Sequence, residues 1–263
     1  MNLISSQLSD DLRQNFWIIL VTKHIPWWQK DVFIVELNSW EKRALKIFRN
    51  SSQRDNREID IYKKFMWKAN IPQIFEDVII EGRRVILEEF IDWKTVSEIS
   101  DDFIWNFEKV LSLVKELVTN MIPFRESGII HRDIKPDNLI ISNEWRLYII
   151  DFWIAKVEDL TTITTTGFQP NTLPFASPEQ IQWKKELISY RTDFFCIGSL
   201  AYYLYYWEFL LWDNQDKIND SLSSETIQYK QDCDALNKFF KATLKYIPAE
   251  RIRNWNDLLN LLN

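Results

Sequence analysis

Glycine is almost missing from this chain. Only 4 of its 263 residues are glycine, which is about 1.5% against a usual content of ~7%. Tryptophan shows the opposite bias, with 13 residues. Together the two types make 17 of 263 residues, about 6.5%, which is an ordinary glycine content. Because glycine is the usual residue of tight turns and left-handed backbone positions, the places of the tryptophans in the sequence need attention.

Several tryptophans stand where a turn is predicted. Trp40 lies between two alternating runs in "NSWEKRALKIF", Trp145 stands likewise in "SNEWRLYII", and Trp27 and Trp28 follow a proline before "QKDVFIV". Large aromatic side chains belong in cores, and a left-handed non-glycine residue costs roughly 1–2 kcal/mol. We therefore hypothesise that most of these tryptophans are glycines in the living protein, because its source organism reads the codon UGA as glycine.

The alternative is a truly tryptophan-rich protein whose exposed aromatic side chains serve binding. The codons distinguish the two readings. UGG codons at Trp27, Trp40, Trp145 and Trp153 would refute the hypothesis.

Cysteine and basic charge are also scarce. Cys196 and Cys233 have no metal-ligand spacing and cannot form a disulfide framework, which favours a reducing compartment. The net charge of −6 excludes the basic surface typical of nucleic-acid binding. The start of the chain has no cationic segment followed by an apolar run, so it does not predict a secretory signal. We expect a cytoplasmic protein.

One long apolar run occurs, over residues 194–212, and its 19 residues include a single charge, Glu208. This length is close to the ~20 residues that span a bilayer. Gly198, Ser199 and Glu208, together with the lack of flanking basic clusters, favour instead a helix buried in a soluble domain.

The patterns of the two parts of the chain differ. The first ninety residues predict a small antiparallel sheet with one helix, and the rest predicts mostly helices, which is an α+β organisation. Gly82 predicts a tight turn between two strands. The predicted strands cover residues 17–22, 31–37, 43–48, 77–80 and 83–90, the helix of the first part covers 55–67, and the clearest later helix covers 107–121.

The residues best suited to metal binding or catalysis lie in "HRDIKPDN", residues 131–138. This stretch contains Asp133, Lys135 and Asn138, and Asp151 follows at the end of the next β run. Two carboxylates and an amide can hold Mg²⁺ through oxygen ligands. Taken alone, the stretch is also compatible with a solvated charged loop.

Over essentially its whole length the chain resembles a bacterial serine/threonine protein kinase of the eukaryotic type. The stretch "HRDIKPDN" resembles the catalytic loop of that family, "DFW" its Asp-Phe-Gly motif, "SPE" its Ala-Pro-Glu motif, and "RALKIF" its strand with the ATP-contacting lysine. The resemblance implies a bilobal protein-kinase-like fold. Residues 1–90 would form the N-lobe and residues 91–263 the C-lobe, together one kinase domain.

The resemblance also implies roles for the residues of the loop. Asp133 would accept or orient the proton of the substrate hydroxyl, and Lys135 would neutralise the transferring phosphoryl group. Asn138 and Asp151 would hold the Mg²⁺ or Mn²⁺ ions that bridge the phosphates of ATP.

The implied ATP site lies in the first lobe. Lys46 would contact the α- and β-phosphates with Glu58 as its partner, although their separation is short for the family and a solvated Glu58 stays an alternative. The three glycines of the family's phosphate loop would fall at Ile25, Trp27 and Lys30. The other implied contacts are Val32 and Ala44 at the adenine, Glu89 to Ile91 at the hinge, and Trp27 and Trp28 near the phosphates.

Residues 151–179 resemble an activation segment. Arg132 would pair with a phosphate on it, Glu179 would pair with Arg251, and Asp193 would brace the catalytic loop. A merely polar loop is the alternative for its threonines. The candidate autophosphorylation sites are Thr161, Thr162, Thr164, Thr165 and Thr166, and Thr172 would lie near the substrate.

The function implied is ATP- and Mg²⁺-dependent phosphorylation of serine and threonine in protein substrates, with neither nucleic acid as a partner nor a membrane segment in this chain. A pseudokinase that acts as a scaffold or nucleotide-binding module is one alternative. A kinase for a small molecule is another, which the "SPE" motif and the threonine-bearing loop disfavour.

Overall fold

The computed structural model describes residues 8–26, 30–49, 53–152, 155–157, 174–211 and 215–262. The chain divides into two compact units, the first made of Met1–Trp67 and Ile71–Asp92, and the second of Lys68–Asn70 and Trp93–Asn263. The first unit is built on a single sheet, and the second is mostly helical.

The sheet of the first unit has five antiparallel strands in the order β1-β2-β3-β5-β4. All five predicted strands are present, and Glu81 and Gly82 form the tight turn between the last two with φ of 52° and 72°. The elements are α1 (Asp10–Asn15), β1 (Ile18–Pro26), β2 (Lys30–Leu37), β3 (Lys42–Phe48), α2 (Gln53–Phe65), β4 (Ile74–Ile80) and β5 (Arg83–Glu89).

The short helix α1 was not predicted, and it covers one face of the sheet. It begins at Ser9, whose hydroxyl oxygen accepts a hydrogen bond from the N–H of Leu12. Leu12 and Phe16 are buried in one apolar cluster with every second residue of the central strands. The members from those strands are Phe33, Val35, Leu45, Ile47, Val85 and Leu87.

The alternate residues of the same strands form the opposite face, which we call the inner face. Helix α2 contacts it, since Ile59 is buried in one cluster with Phe48 and Ile86. Helix α2 therefore covers the part of the inner face around Phe48 and Ile86.

The second unit combines helices with two small sheets, in which β7 pairs with β10 and β8 lies between β6 and β9. The apolar stripe predicted over residues 107–121 lies on α3, where Val110, Val114, Leu117 and Val118 are fully buried. The elements are β6 (Trp93–Thr95), α3 (Phe107–Glu126), β7 (Ile129–Ile130), β8 (Leu139–Ser142), β9 (Leu147–Ile149), β10 (Lys156–Val157), α4 (Pro178–Ile181), α5 (Tyr190–Tyr206), α6 (Gln215–Ser224), α7 (Asp234–Thr243) and α8 (Trp255–Asn260), with 3₁₀ turns at Ser97–Phe103, Pro136–Asn138, Lys185–Leu187 and Pro248–Glu250.

Residues 194–206 of the apolar run lie in helix α5. Of its 17 residues, 13 are buried, among them Asp193 and Ser199. The prediction of a buried helix is confirmed. Across the described part of the chain, every helix is too short or too polar to cross a membrane.

Gly198 lets α5 approach α7 closely. A Cβ atom built on Gly198 would lie 2.4 Å from Oγ1 of Thr243 and 2.8 Å from Cδ2 of Leu244. The Thr243 hydroxyl is buried and donates a hydrogen bond of 2.9 Å to the carbonyl of Phe239, so it is held in place.

The methyl of Gly198→Ala would overpack this contact, at the upper end of the usual cost of about 1–3 kcal/mol because the nearest atom is held in place. The gain in helix propensity offsets about 1 kcal/mol of this cost, so we expect the free energy of unfolding to fall by about 1–2 kcal/mol. Urea unfolding measures the change. The control is Thr243→Ala, which removes the atom nearest to the new methyl, so the double variant should lose less than the sum of the two single variants. A Gly198→Ala protein as stable as the parent contradicts the prediction.

Six tryptophans adopt the left-handed backbone conformation, with φ between 50° and 66°. They are also exposed, with 47–77% of their surface accessible. Both properties are unusual for tryptophan and ordinary for glycine. The six are Trp17, Trp40, Trp105, Trp145, Trp183 and Trp207.

Two of them occupy equivalent hairpin turns. The N–H of Trp40 donates to the carbonyl of Leu37 at 2.9 Å, and the N–H of Trp145 donates to the carbonyl of Ser142 at 2.8 Å. Each tryptophan is the last residue of a three-residue loop, the left-handed place that glycine normally takes. The turns predicted at both positions are confirmed. Trp207 ends α5 in the same conformation, again a usual place for glycine.

Trp255 behaves differently from these six. It is buried, with 4% of its surface exposed, and its ring packs against Phe194 with centroids 4.6 Å apart. A large apolar side chain is therefore needed at this position. Trp27, Trp28, Trp153 and Trp212 lie outside the described residues.

Candidate functional site

The loop of residues 131–138 in the second unit is fixed at its start by a buried carboxylate. Asp193, in the first turn of α5, accepts hydrogen bonds from the N–H of His131 at 2.9 Å and from the N–H of Arg132 at 2.8 Å. The side-chain amide of Gln180 holds the carbonyl of Arg132 at 2.8 Å. These bonds stabilise Arg132 in a left-handed conformation, with φ of 70°. The brace predicted for Asp193 is present.

Burial sets the charge states around this brace. It raises the pKa of Asp193 to about 7, while the two backbone N–H groups favour the charged form. Burial lowers the pKa of His131 to about 4, so its imidazole is neutral at pH 7. A neutral ring can accept, and its Nδ1 lies 3.3 Å from the N–H of Asp133.

Two polar side chains of the loop converge on Asp133. The amide nitrogen of Asn138 donates to the Asp133 carbonyl at 2.8 Å and to its carboxylate Oδ2 at 2.9 Å. The ammonium of Lys135 lies 3.3 Å from the same Oδ2. All three residues are buried. The structure thus brings together the carboxylate, the ammonium and the amide that the sequence singled out.

Asn138 also offers an oxygen atom that suits a metal ion. Its Oδ1 is buried and accepts no hydrogen bond from the described residues, which is costly unless a ligand satisfies it. The N–H of Ile150 donates to the Asn138 carbonyl at 3.0 Å. Because Asp151 follows Ile150 directly, this bond links the backbone that carries the carboxylate to the residue that carries the amide oxygen.

Asp151 has a left-handed conformation, with φ of 65°, and is 9% exposed. Phe152, next to it, is fully buried between His131 and Phe124, with ring centroids 4.6 and 4.8 Å away. The buried ring anchors the backbone of the aspartate.

A carboxylate and an amide oxygen fit a hard divalent cation that keeps several waters and substrate phosphates as its other ligands. They do not fit a metal held by protein alone. The described residues contain no group of three or more His, Cys, Asp and Glu side chains that could bind one.

Glu179 and Arg251 form the ion pair expected from the sequence. Both are buried, and the pair is bidentate, with Nη1–Oε1 of 2.7 Å and Nη2–Oε2 of 2.8 Å. The remaining donors of Arg251 bond to the carbonyls of Arg191, Lys245 and Tyr246. With every donor satisfied, the pair connects α4 to the segment before α8 and supports the fold.

The inner face of the first unit carries the residues predicted to bind a nucleotide. Across the strands, Val32 pairs with Lys46, and Ala44 pairs with Glu88. Directly opposite residues point to the same face. Val32 is half-buried and Ala44 is buried.

The partner of Lys46 differs from the prediction. Its ammonium lies 2.7 Å from Oε1 of Glu88, whereas Glu58 of α2 is 2.9 Å from the ammonium of Lys30. The physical reason is the strand register. It places Glu88 on the inner face one strand away from Lys46, and Lys30, at the start of β2, extends to α2.

Lys30 and Glu88 are two buried, charged residues of this face to which the sequence gives no role in nucleotide binding. The family resemblance gives Lys30 only as a position where the family has glycine. Strand alternation offered a signal, because Lys30, Val32 and Ile34 are two residues apart and therefore share one face. The charge of Lys30 on that face was visible in the sequence, but its partner was not.

The remaining predicted residues divide into two groups. Glu89 ends β5, where its N–H donates to the carbonyl of Gln73 at 2.8 Å and its carboxylate accepts from the Gln73 N–H at 3.2 Å. Ile91 is buried. The others lie outside the described residues: Trp27, Trp28, Thr161, Thr162, Thr164, Thr165, Thr166 and Thr172.

In the comparison with known proteins, this chain is similar to several bacterial proteins named as serine/threonine-protein kinases. Probable serine/threonine-protein kinase PknB of Lactococcus lactis is 26% identical over 61% of this chain and 26% of its own length. A probable serine/threonine-protein kinase of Clostridium acetobutylicum is 26% identical over 84% of this chain and 35% of its own length. Serine/threonine-protein kinase PrkC of Bacillus subtilis is 26% identical over 61% of this chain and 26% of its own length. The chain thus spans about a quarter to a third of the length of these relatives.

The family comparison covers most of the chain. A family model described as protein kinase domain matches residues 32–260, which include most of the inner face of the sheet, the loop of Asp133 and the ion pair of Glu179. The chain therefore belongs to the protein kinase family.

Proposed function

We propose that this chain is the kinase domain of an enzyme that transfers the γ-phosphoryl group of ATP to serine and threonine hydroxyls of proteins. The observation that carries the proposal is the buried group formed by Asp133, Lys135 and Asn138, in which an ammonium and an amide converge on one carboxylate oxygen. Members of the protein kinase family use ATP and a divalent metal ion.

Within that group, Asp133 orients the substrate hydroxyl and accepts its proton. Lys135 places a positive charge beside this carboxylate, where negative charge on the transferred phosphoryl group needs compensation. Asn138 fixes the Asp133 side chain through its amide nitrogen, so the carboxylate is already positioned when substrate arrives.

Asn138 and Asp151 hold the metal ion, Mg²⁺ or Mn²⁺. The buried Oδ1 of Asn138 supports this assignment, because a cation would satisfy it. When bound, the metal supplies charge neutralisation on the phosphates. The residues that hold the nucleotide are Lys46 with Val32, Ala44, Glu89 and Ile91.

Arg132 and the threonines of the segment before α4 are the proposed regulatory part. A phosphate on Thr161, Thr162, Thr164, Thr165 or Thr166 would offer Arg132 a charge-assisted partner. Thr172, which is closer in sequence to the "SPE" motif, is proposed to face the protein substrate.

A transfer assay tests the proposal. Two proteins are compared: the chain with all its tryptophans, and the chain with glycine at positions 17, 27, 28, 40, 105, 145, 153, 183 and 207. Each purified protein is incubated with labelled ATP, Mg²⁺ and casein. We expect label on serine and threonine of casein and on the chain itself, loss of transfer with a metal chelator, and recovery when Mg²⁺ is restored.

The result that would overturn the proposal is ATP binding without transfer by either protein, which would instead show a nucleotide-binding scaffold. Label on a small molecule alone, with none on protein, would also refute a protein kinase.

A further inference from the structure

The inner face of the sheet carries two buried lysines rather than one. Lys30, the first residue of β2, is 4% exposed, and Lys46 of β3 is 9% exposed. Lysine is among the residues least often buried, and burial of its charge requires a partner. Each lysine has such a partner, Glu58 for Lys30 and Glu88 for Lys46, at 2.9 and 2.7 Å.

The strand register places both lysines on the same part of the face. Lys30 is opposite Phe48, and Val32, two residues further along β2, is opposite Lys46. Rings lie beside both ammonium groups, since Phe48 is 5.6 Å from Lys30 and Tyr62 is 5.2 Å from Lys46. The two cations are thus held on the surface that also carries the proposed adenine contacts Val32 and Ala44.

Packing alone does not account for Lys30. Its neighbour Phe48 belongs to an apolar cluster with Ile59 and Ile86, and a buried ion pair contributes no more stability than well-packed apolar side chains of similar volume. An ammonium kept at this place therefore points to a function that needs positive charge.

The ion pairs also determine which lysine is linked to helix α2. Of the two buried lysines, Lys30 is the one held by a glutamate of α2, Glu58. Lys46 is instead held by Glu88 on the neighbouring strand β5, within the sheet itself. The Glu58–Lys30 pair therefore links α2 to β2, in addition to the bonds that α2 makes to β4 and β5.

We propose that Lys30 is a second phosphate-binding lysine of the nucleotide site, positioned by Glu58, and that α2 is coupled to ATP through Lys30 rather than through Lys46. An ammonium is a compact charge with three donors, suited to a phosphate oxygen. Each ammonium is paired with one carboxylate, and a bound polyphosphate would share that ammonium as a second acceptor. The proposal rests on the proposed function for the identity of the nucleotide.

The test is the dissociation constant of ATP with Mg²⁺, measured by titration calorimetry on folded variants, together with the transfer rate. We expect Lys30→Met to weaken ATP binding about tenfold or more, the loss expected for a charged hydrogen bond. Lys30→Arg keeps the charge and should bind ATP more tightly than Lys30→Met. Lys46→Met shows how much ATP affinity is lost when the other buried lysine is removed, and the effect of Lys30→Met is compared with it.

A double-mutant cycle identifies the lysine that Glu58 positions. The effects of Lys30→Met and Glu58→Gln on the dissociation constant should be non-additive, because either change disrupts the same unit. Lys46→Met and Glu58→Gln should be additive. The reverse pattern, coupling of Glu58 with Lys46 alone, overturns the proposal.

A merely structural Lys30 gives a distinct result. In that case Lys30→Met lowers the free energy of unfolding but leaves the dissociation constant of ATP unchanged, and the proposal is wrong. If Lys30→Met does not fold, the double variant Lys30→Gln with Glu58→Gln removes both charges together and carries the same measurement. Failure of the proposed function is separate, since it appears as ATP binding without phosphate transfer by the parent protein.

Discussion

Replacing the six left-handed tryptophans by glycine is expected to stabilise the protein by about 3–6 kcal/mol. A non-glycine residue in this conformation costs roughly 1–2 kcal/mol. The greater freedom of glycine in the unfolded chain offsets about 0.4–1 kcal/mol of that at each position. The sites are Trp17, Trp40, Trp105, Trp145, Trp183 and Trp207.

The exposure of these rings means that little packing is lost with them. Trp40 is the clearest case, with 77% of its surface exposed. Trp105 and Trp207 are less clear, because their rings pack against tyrosine rings with centroids 5.3–5.5 Å apart and part of the gain is lost there. Urea unfolding of each single variant and of the six-fold variant measures the gain.

The matched control is alanine at the same six positions. Alanine removes the ring but keeps the Cβ atom that conflicts with the left-handed backbone. If the alanine set stabilises the protein as much as the glycine set, the cause is loss of exposed apolar surface and the prediction is wrong. Trp255→Gly is the opposite control, since loss of this buried ring should destabilise the fold by about 3–5 kcal/mol.

The same six positions connect stability to the genetic code. Tryptophan at one left-handed position is an exception, whereas six at equivalent positions form a pattern that a reassigned codon explains. We expect UGA at all six in the gene. UGG at these positions would refute the reassignment while leaving the backbone strain, and the expected gain from glycine, unaffected.

The strands and the buried helix could be predicted because each has its own local pattern. Alternation gives β2, β3 and β5, and a continuous apolar run gives α5. The helix α1 was missed because its six residues carry too few apolar positions to show a period, and its start depends on a single cap at Ser9. Trp17 follows α1 and Trp105 precedes α3. The turns at these two positions have no sequence pattern of their own and are defined only by tertiary structure.

The loop of Asp133 could be predicted for a related reason. Its three polar side chains are within six residues of one another, so the sequence alone brings Lys135 and Asn138 close to Asp133. The ion pairs of the inner face depend instead on the register of three strands and on the distance from β2 to α2. The sequence therefore predicted a lysine and a glutamate that interact, but paired Glu58 with Lys46 where the structure pairs it with Lys30.

Asp133→Asn is expected to lower the rate of phosphate transfer by about 10²–10⁴-fold, the usual contribution of a positioned general base. The side chain keeps its size, and its amide oxygen can still accept the bond from Asn138 that now reaches Oδ2 at 2.9 Å. The fold and the dissociation constant of ATP should therefore change little. The loss should appear in kcat rather than in KM for ATP, because the carboxylate acts on the substrate hydroxyl.

Asp137→Asn is the control for this change. Asp137 lies in the same loop and has the same side chain, but it is exposed to solvent, whereas Asp133 is buried beside Lys135 and Asn138. An exposed carboxylate has no fixed place at the reacting hydroxyl, so Asp137→Asn should transfer phosphate at a rate within about threefold of the parent. This change is much smaller than the roughly 10²–10⁴-fold loss expected when a general base is removed. Equal rates for the two variants would contradict the role of Asp133, and a selective loss at Asp133 would assign the chemistry to the carboxylate that the loop positions.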